Sequence, residues 1–166
     1  MKQNIRIRNY QRSDREVCRS LWRELTEWHR EIYQDPTIGG DKPEEQFDKH
    51  LAKLGPSRIW VATINSEVVG FIGLDASSYE SEIKPLIVTK AHRNRGIGTK
   101  LVEKAILEAR KIGASLNVAP VARNMKAIRF FHKAGFKNLG RIEMFIDFRN
   151  RNWKPAAELH EFKLNY

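Results

Sequence analysis

The chain has 166 residues, 41% of them hydrophobic and 30% charged, a composition that suits one soluble globular domain and argues against disorder. Its net charge of +10 attracts polyanions (nucleic acid, an anionic membrane or a phosphate-bearing cofactor), so charge alone leaves nucleic acid open. No apolar run approaches the ~20 residues that span a bilayer, and Met1-Lys2-Gln3-Asn4 lacks the apolar stretch of a signal peptide. The one cysteine, Cys18, excludes an internal disulfide and a Cys-rich metal site. The expectation is a cytoplasmic protein without a metal.

Ile5-Arg6-Ile7-Arg8 alternates with period two and predicts a first strand. Ser13-Asp14-Arg15-Glu16 has capping-box spacing, and Val17, Leu21, Leu25 and Trp28 recur at helical intervals, so a helix is predicted over 14 to about 33. After a loop rich in breakers, Pro43 at a first helical position and the stripe Phe47, Leu51, Leu54 predict a second helix, stopped by Gly55-Pro56. Two apolar runs, 59–64 and 68–74, flank Asn65-Ser66-Glu67 and read as a hairpin. A further strand is expected over 82–88, where Pro85, lacking an N–H, implies a bulge or a break in the ladder.

Beyond it, Leu101, Ala105, Ile106, Ala109 and Ile112 mark the buried face of a long helix ending at Gly113. A short strand over 116–119 and a helix over 124–134 follow, the latter with Ala127, Ile128, Phe131 and Ala134 as its stripe and Gly135 as its C-cap. Two last strands are expected over about 140–148 and 159–165. The order predicts an α/β (α+β) domain over 1–166: a single mixed, mostly antiparallel sheet of about seven strands flanked by four helices.

The informative segment is Arg93-Asn94-Arg95-Gly96-Ile97-Gly98, between a predicted strand and a predicted helix. Glycines let the backbone approach a ligand, and the helix start adds unpaired N–H groups and partial positive charge, which together make a phosphate cradle. It is neither a P-loop, lacking Gly-Lys-Ser/Thr, nor a dinucleotide fingerprint, lacking a third glycine near Leu101. It does resemble the GNAT N-acetyltransferase pattern Arg/Gln-x-x-Gly-x-Gly/Ala. Leu86-Ile87-Val88 resembles the end of that superfamily's fourth strand. Asn124-Met125-Lys126-Ala127, running on to Phe131 and Gly135-Phe136, resembles its next signature, Asn-x-x-Ala-x-x-x-Tyr-x-x-x-Gly-Phe. The resemblance is sharp over 82–136 and architectural elsewhere.

What the resemblance implies is a GNAT fold and transfer of an acetyl group from acetyl-CoA to a primary amine, on a small molecule or a protein, by direct attack in a ternary complex. Asn94, Arg95, Gly96, Ile97, Gly98 and Thr99 would hold the pyrophosphate, mostly through backbone N–H groups, and Arg93 would stabilise the loop or a phosphate. Leu86, Ile87 and Val88 would offer backbone groups to pantetheine, one N–H polarising the thioester carbonyl. Asn124 would bond the pantetheine arm or cap its helix. Phe131 occupies the cofactor-facing position where many relatives carry a thiolate-protonating tyrosine, and it cannot donate. Either another group acts, the candidates being the adjacent His132 and, behind it, Tyr79 near the start of the fourth strand, or the thiolate leaves unassisted, which a thiol pKa of ~8.5 allows. The fifth strand lacks the glutamate that some relatives use; other relatives use one on the fourth strand through water, and by that resemblance Glu82, in preference to Glu80, would be the general base, water and alkaline pH serving if neither is.

The acceptor region of the family would here offer Trp22, Trp28 and Tyr33 with Glu24, Glu27, Glu31, Asp35 and Asp41, acidic and aromatic groups that suit a cationic amine. Trp153-Lys154-Pro155 would cover the site or pack. A GNAT that binds acyl-CoA without catalysis is the alternative within the fold. A basic nucleic-acid-binding protein is the alternative from another class, against which stands the absence of any helix-turn-helix, zinc-finger or RRM signature. A homodimer is common in this fold, but no interface is legible in the sequence.

Overall fold

Ile5 and Ile7, alternating with Arg6 and Arg8, form the first strand, β1 (Ile5–Asn9), in the computed structural model of the chain. The structure describes residues 4–77, 79–113, 115–149, 151, 153–159 and 162–165; Met1-Lys2-Gln3 of the targeting argument and residues 160 and 161 of the last predicted strand lie outside them. Contacts divide the chain into two compact units, Met1–Ala119 and Pro120–Tyr166.

In the first unit, β2 (Ile59–Ile64), β3 (Glu67–Ala76), β4 (Glu80–Val88) and β5 (Ser115–Val118) join β1 in the order β1-β2-β3-β4-β5. Pairing is antiparallel as far as β4 and parallel between β4 and β5. Asn65 and Ser66 turn the β2–β3 hairpin with φ of 49° and 70°, the left-handed conformation a two-residue turn requires. Every residue of β2 is buried, because helices cover both faces of the sheet. On one face lie α1 (Arg15–Tyr33) and α2 (Glu45–Leu54), whose Cys18, Leu21, Phe47 and Leu54 join Val61, Phe71 and Ile87 in one core. On the other lies α3 (Ile97–Ala109), the crossover that the parallel pair demands. Trp60, one residue out of phase with Val61, has the Lys104 ammonium of α3 5.5 Å from its ring centre.

Three local expectations change. The Ser13/Glu16 box does not form; instead the Asp14 carboxylate accepts the Gln11 N–H at 2.8 Å and both arms of Arg8 at 2.7 and 2.8 Å. Burial pushes the Asp14 carboxyl up, but Arg8 and the Gln11 N–H outweigh it and hold it below its ordinary value. Pro43 precedes α2 instead of opening it. Ile112, expected on the buried face of α3, lies past its end and is exposed.

The bulge expected from Pro85 is present. The β3–β4 register slips between Ile72 and Leu74, so that Lys84 and Pro85 together oppose Gly73. Only glycine fits there: a Cβ would stand 2.5 Å from the Lys84 carbonyl oxygen and 2.7 Å from His50 Nε2.

The second unit contains α4 (Met125–Lys133) and a separate antiparallel ladder of β6 (Pro155–Leu159) with β7 (Phe162–Asn165). The expectation of a single sheet of about seven strands is therefore corrected. The mixed sheet has five strands, with four α-helices among the described residues. The strand predicted over 140–148 forms no ladder there, and its apolar Ile142, Met144, Ile146 and Phe148 are exposed. Alternation assigns faces to a segment but not a hydrogen-bonding neighbour.

Candidate functional site

The chemistry-bearing elements of the first unit converge where β4 ends and α3 begins. Parallel pairing with β5 runs from Glu80 to Ile83 and stops. The rest of β4 stays paired with β3, through Leu86 to Ile72, Ile87 to Phe71 and Val88 to Gly70. The other edge of residues 84–88 thus has no strand against it among the described residues. Backbone donors and acceptors on an open edge await a partner. The Ile87 side chain is buried in the α1/α2 core, while Leu86 and Val88 are half-buried.

After Val88 the chain makes a short 3-10 turn, Lys90–His92, and enters the loop. Asn94 and Gly96 take left-handed φ values of 61° and 79°. Gly96 is the N-cap residue of α3 and, lacking a side chain, makes no cap hydrogen bond of its own. A Cβ on Gly96 would meet nothing within 4 Å among the described residues, so there is space beside the N-cap. The N–H groups of a helix start and the positive end of the helix dipole suit an anion. Ile97 sends its side chain into the core, Gly98 is half-buried, and Asn94, Arg95 and Thr99 are exposed.

Arg93 does not reach into that space. Its Nε donates to the Val88 carbonyl at 2.9 Å and its Nη2 donates to Glu24 at 3.1 Å. Glu24 was expected in an acidic acceptor cluster. It instead accepts the Lys90 N–H at 2.6 Å and the Thr89 hydroxyl at 2.8 Å. Nothing in the sequence flags these contacts, which join α1 to residues about 65 positions away.

Of the other acidic candidates, Glu27 pairs with Arg30 at 2.7 Å, and the buried Asp35 accepts from the Thr37 N–H and hydroxyl. Glu31 and Asp41 are exposed. Trp22 packs in the core against Phe47, His50 and Phe71, while Trp28 and Tyr33 are half-buried. Glu82 is half-buried on β4, opposite Asp75, with Lys84 Nζ 3.4 Å from its carboxylate. Asp75 also pairs with Lys53 of α2, so Glu82 faces the α1/α2 side of the sheet. Glu80 is exposed and accepts from Asn117, and Tyr79 is exposed.

His50 was missed by the sequence reading. Its Nε2 is buried beside the bulge without a hydrogen-bond partner of good geometry. Burial, opposed by Asp75 and by the Lys84 backbone and helped by the Lys53 and Lys84 ammonium groups, pushes its pKa down to about 4, so it is neutral at physiological pH.

In the second unit, the Asn124 side chain accepts the Ala127 N–H at 3.1 Å and so caps α4. Phe131 is buried between Phe130 and Phe136, with ring centres 5.2 and 5.5 Å away, and His132 is exposed. Trp153 is held by Asp147, which accepts its indole N–H at 2.9 Å, and carries the Arg151 and Arg123 guanidinium groups at 4.9 and 5.3 Å from its ring. Among the described residues, no group of His, Cys, Asp and Glu is arranged to hold a metal ion, and no helix is long and apolar enough to cross a membrane.

The family model of the Acetyltransferase (GNAT) family matches residues 22–136. The N-acetyltransferase YafP of Escherichia coli (strain K12) is 30% identical over 141 residues, which span 82% of this chain and 83% of YafP. An acetyltransferase of the GNAT family from Staphylococcus aureus Mu50 superposes with a TM-score of 0.64 at 26% identity, over 89% of this chain and 95% of that one. The PaiA N-acetyltransferase of Thermoplasma acidophilum, solved in complex with coenzyme A, superposes with a TM-score of 0.66 at 22% identity, over 81% and 90% of the two chains. With its family model covering well over half of its length, the chain belongs to the GNAT family of acetyltransferases.

Proposed function

We propose that the protein moves an acetyl group from acetyl-CoA to a primary amine by direct attack within a ternary complex. One observation carries the reading: a strand edge, residues 84–88, with no strand against it among the described residues, leads through a left-handed glycine loop into a helix start whose N-cap is a glycine. That arrangement fits a ligand with an extended amide-bearing arm joined to a pyrophosphate, which is the shape of acetyl-CoA. The neighbouring PaiA structure, which holds coenzyme A, adds support.

In this reading Leu86, Ile87 and Val88 bond the pantetheine arm through their backbone, and an N–H of that edge polarises the thioester carbonyl. Asn94, Arg95, Gly96, Ile97, Gly98 and Thr99 hold the pyrophosphate. Glu82 accepts the amine proton through water, supported by its half-buried position on the α1/α2 side. Phe131 has no proton to give, so the thiolate leaves without a side-chain acid from that position, at a cost its pKa of ~8.5 keeps modest. The family resemblance also assigns Asn124, the cap of α4, and Phe131 to cofactor binding. The acceptor is a small molecule or a protein amino group.

The whole chain, 1–166, works in this proposal as one catalytic domain in the cytoplasm, where acetyl-CoA is made and the free Cys18 stays reduced. Neither nucleic acid nor a membrane takes part; a second copy of the chain is the protein partner to test by light scattering.

Isothermal titration with acetyl-CoA, with CoA and NAD as comparators, tests the cofactor. Micromolar binding of acetyl-CoA that disappears in Gly96→Trp, followed by thiol release on adding amines, supports the proposal. A folded protein that binds neither CoA species refutes it. Binding without thiol release from any amine leaves the non-catalytic acyl-CoA module in its place.

A further inference from the structure

We infer that Glu24 is a positioning residue that fixes the anion-binding loop to α1 before any ligand arrives. Its value for catalysis rests on the acetyl-CoA reading above, but its mechanical part does not. One half-buried carboxylate gathers three donors from the five residues that link β4 to the loop: the Thr89 hydroxyl on Oε2 at 2.8 Å, and the Lys90 N–H and Arg93 Nη2 on Oε1 at 2.6 and 3.1 Å. The same Arg93 reaches back through Nε to the Val88 carbonyl at 2.9 Å. The exit of β4, the 3-10 turn and the loop entrance are thereby tied to one point on α1, directly before the left-handed Asn94 and Gly96.

Charge-assisted hydrogen bonds of this kind are the strong ones. Asn94 and Gly96 hold a conformation that an unanchored loop would visit only part of the time, and the N-cap residue of α3, Gly96, has no side chain with which to define the first turn. An anchor on the preceding residues removes ordering cost from the binding step, since a preformed loop pays nothing for order when the ligand binds. Glu24 touches no ligand in this scheme. The arginine that opens the loop motif also serves it, spending its guanidinium on Glu24 and Val88.

The test has a ligand-free arm and a ligand arm, each on wild type, Glu24→Ala, Glu24→Gln, Thr89→Val and Glu24→Gln/Thr89→Val. In the first, hydrogen exchange without ligand is read by mass spectrometry. Residues 90–98 should exchange roughly tenfold faster in Glu24→Ala, while the middle of α3 stays as protected as in wild type. In the second, the Kd of acetyl-CoA should rise about tenfold in Glu24→Ala and less in Glu24→Gln, which still accepts from Thr89. The kcat at saturating acetyl-CoA should stay within about twofold. The double variant should lose less than the product of the two single losses, since both act on one contact.

A role in stability alone would lower protection throughout α3 and change kcat with Kd, and that pattern overturns the inference. So does an unchanged exchange rate over 90–98 in a folded Glu24→Ala. If wild type binds no acetyl-CoA while the exchange result holds, the functional reading fails and the anchor stands.

Discussion

Replacing Gly73 with alanine isolates the bulge that separates the two halves of β4. The added Cβ would stand 2.5 Å from the Lys84 carbonyl oxygen, 2.7 Å from His50 Nε2 and 3.0 Å from Leu54 Cδ1. A histidine and a leucine can rotate away by a few tenths of an ångström. The carbonyl cannot, because it belongs to the bulged backbone itself. Overpacking of this kind costs roughly 1–3 kcal/mol, against a gain of about 0.4–1 kcal/mol from restricting the unfolded chain. The expected net loss is about 1–2 kcal/mol, read as a lower urea midpoint with an unchanged slope. Gly113→Ala is the control. Its Cβ would meet only ordinary contacts from 3.4 Å outward, so it should be neutral or slightly stabilising. Since the displaced carbonyl leads directly into Leu86, Ile87 and Val88, Gly73→Ala should also weaken acetyl-CoA binding. A Gly73→Ala protein as stable as wild type would show that the bulge yields freely and would refute the claim that it is rigidly set.

Protonation of His50 should cost stability in acid: its folded pKa of about 4 lies below the ordinary 6.5, so the unfolded chain takes up a proton across that window while the native one does not. Its contribution is complete above pH 6.5 and is lost as pH falls toward 4, with a ceiling of about 3 kcal/mol that partial exposure reduces. Urea midpoints at pH 7.5 and 5 should therefore separate more for wild type than for His50→Gln, and equal separations would contradict this. Burial pushes the Cys18 thiol up to about 12 and leaves it no exposed surface, so a thiol reagent at pH 8 should label it only as fast as the protein unfolds; labelling within seconds of a natively folded sample would contradict the packing. Glu82→Gln should lower kcat roughly a hundredfold with acetyl-CoA affinity intact, and a change under threefold would move amine deprotonation to solvent.

The local devices of the fold could be read from neighbouring residues because their physics is local. Asn65-Ser66 suits a tight hairpin, Pro85 cannot serve a regular ladder, Asn124 caps the helix that follows it, and Gly96 permits a left-handed turn at a helix start. The family itself was legible for the same reason, since its signature lies in short runs that bind ligand through backbone. The acceptor region was not, because acidic side chains look alike in sequence. Glu24, Glu27 and Asp35 read as one cluster for a cation, yet each carboxylate is engaged by groups of the protein itself.

The strand predicted over 140–148 failed on similar grounds. Ile142, Met144, Ile146 and Phe148 alternate as a strand should, but a strand exists only by pairing, and alternation names no partner. The sequence by itself determined the helices, the hairpin, the bulge and the left-handed glycine loop before α3, whose causes lie within a few residues. Only the tertiary structure decided that the mixed sheet stops at five strands, that His50 stands against the bulge and that Glu24 holds the loop, because each depends on groups that folding brings together from distant parts of the chain.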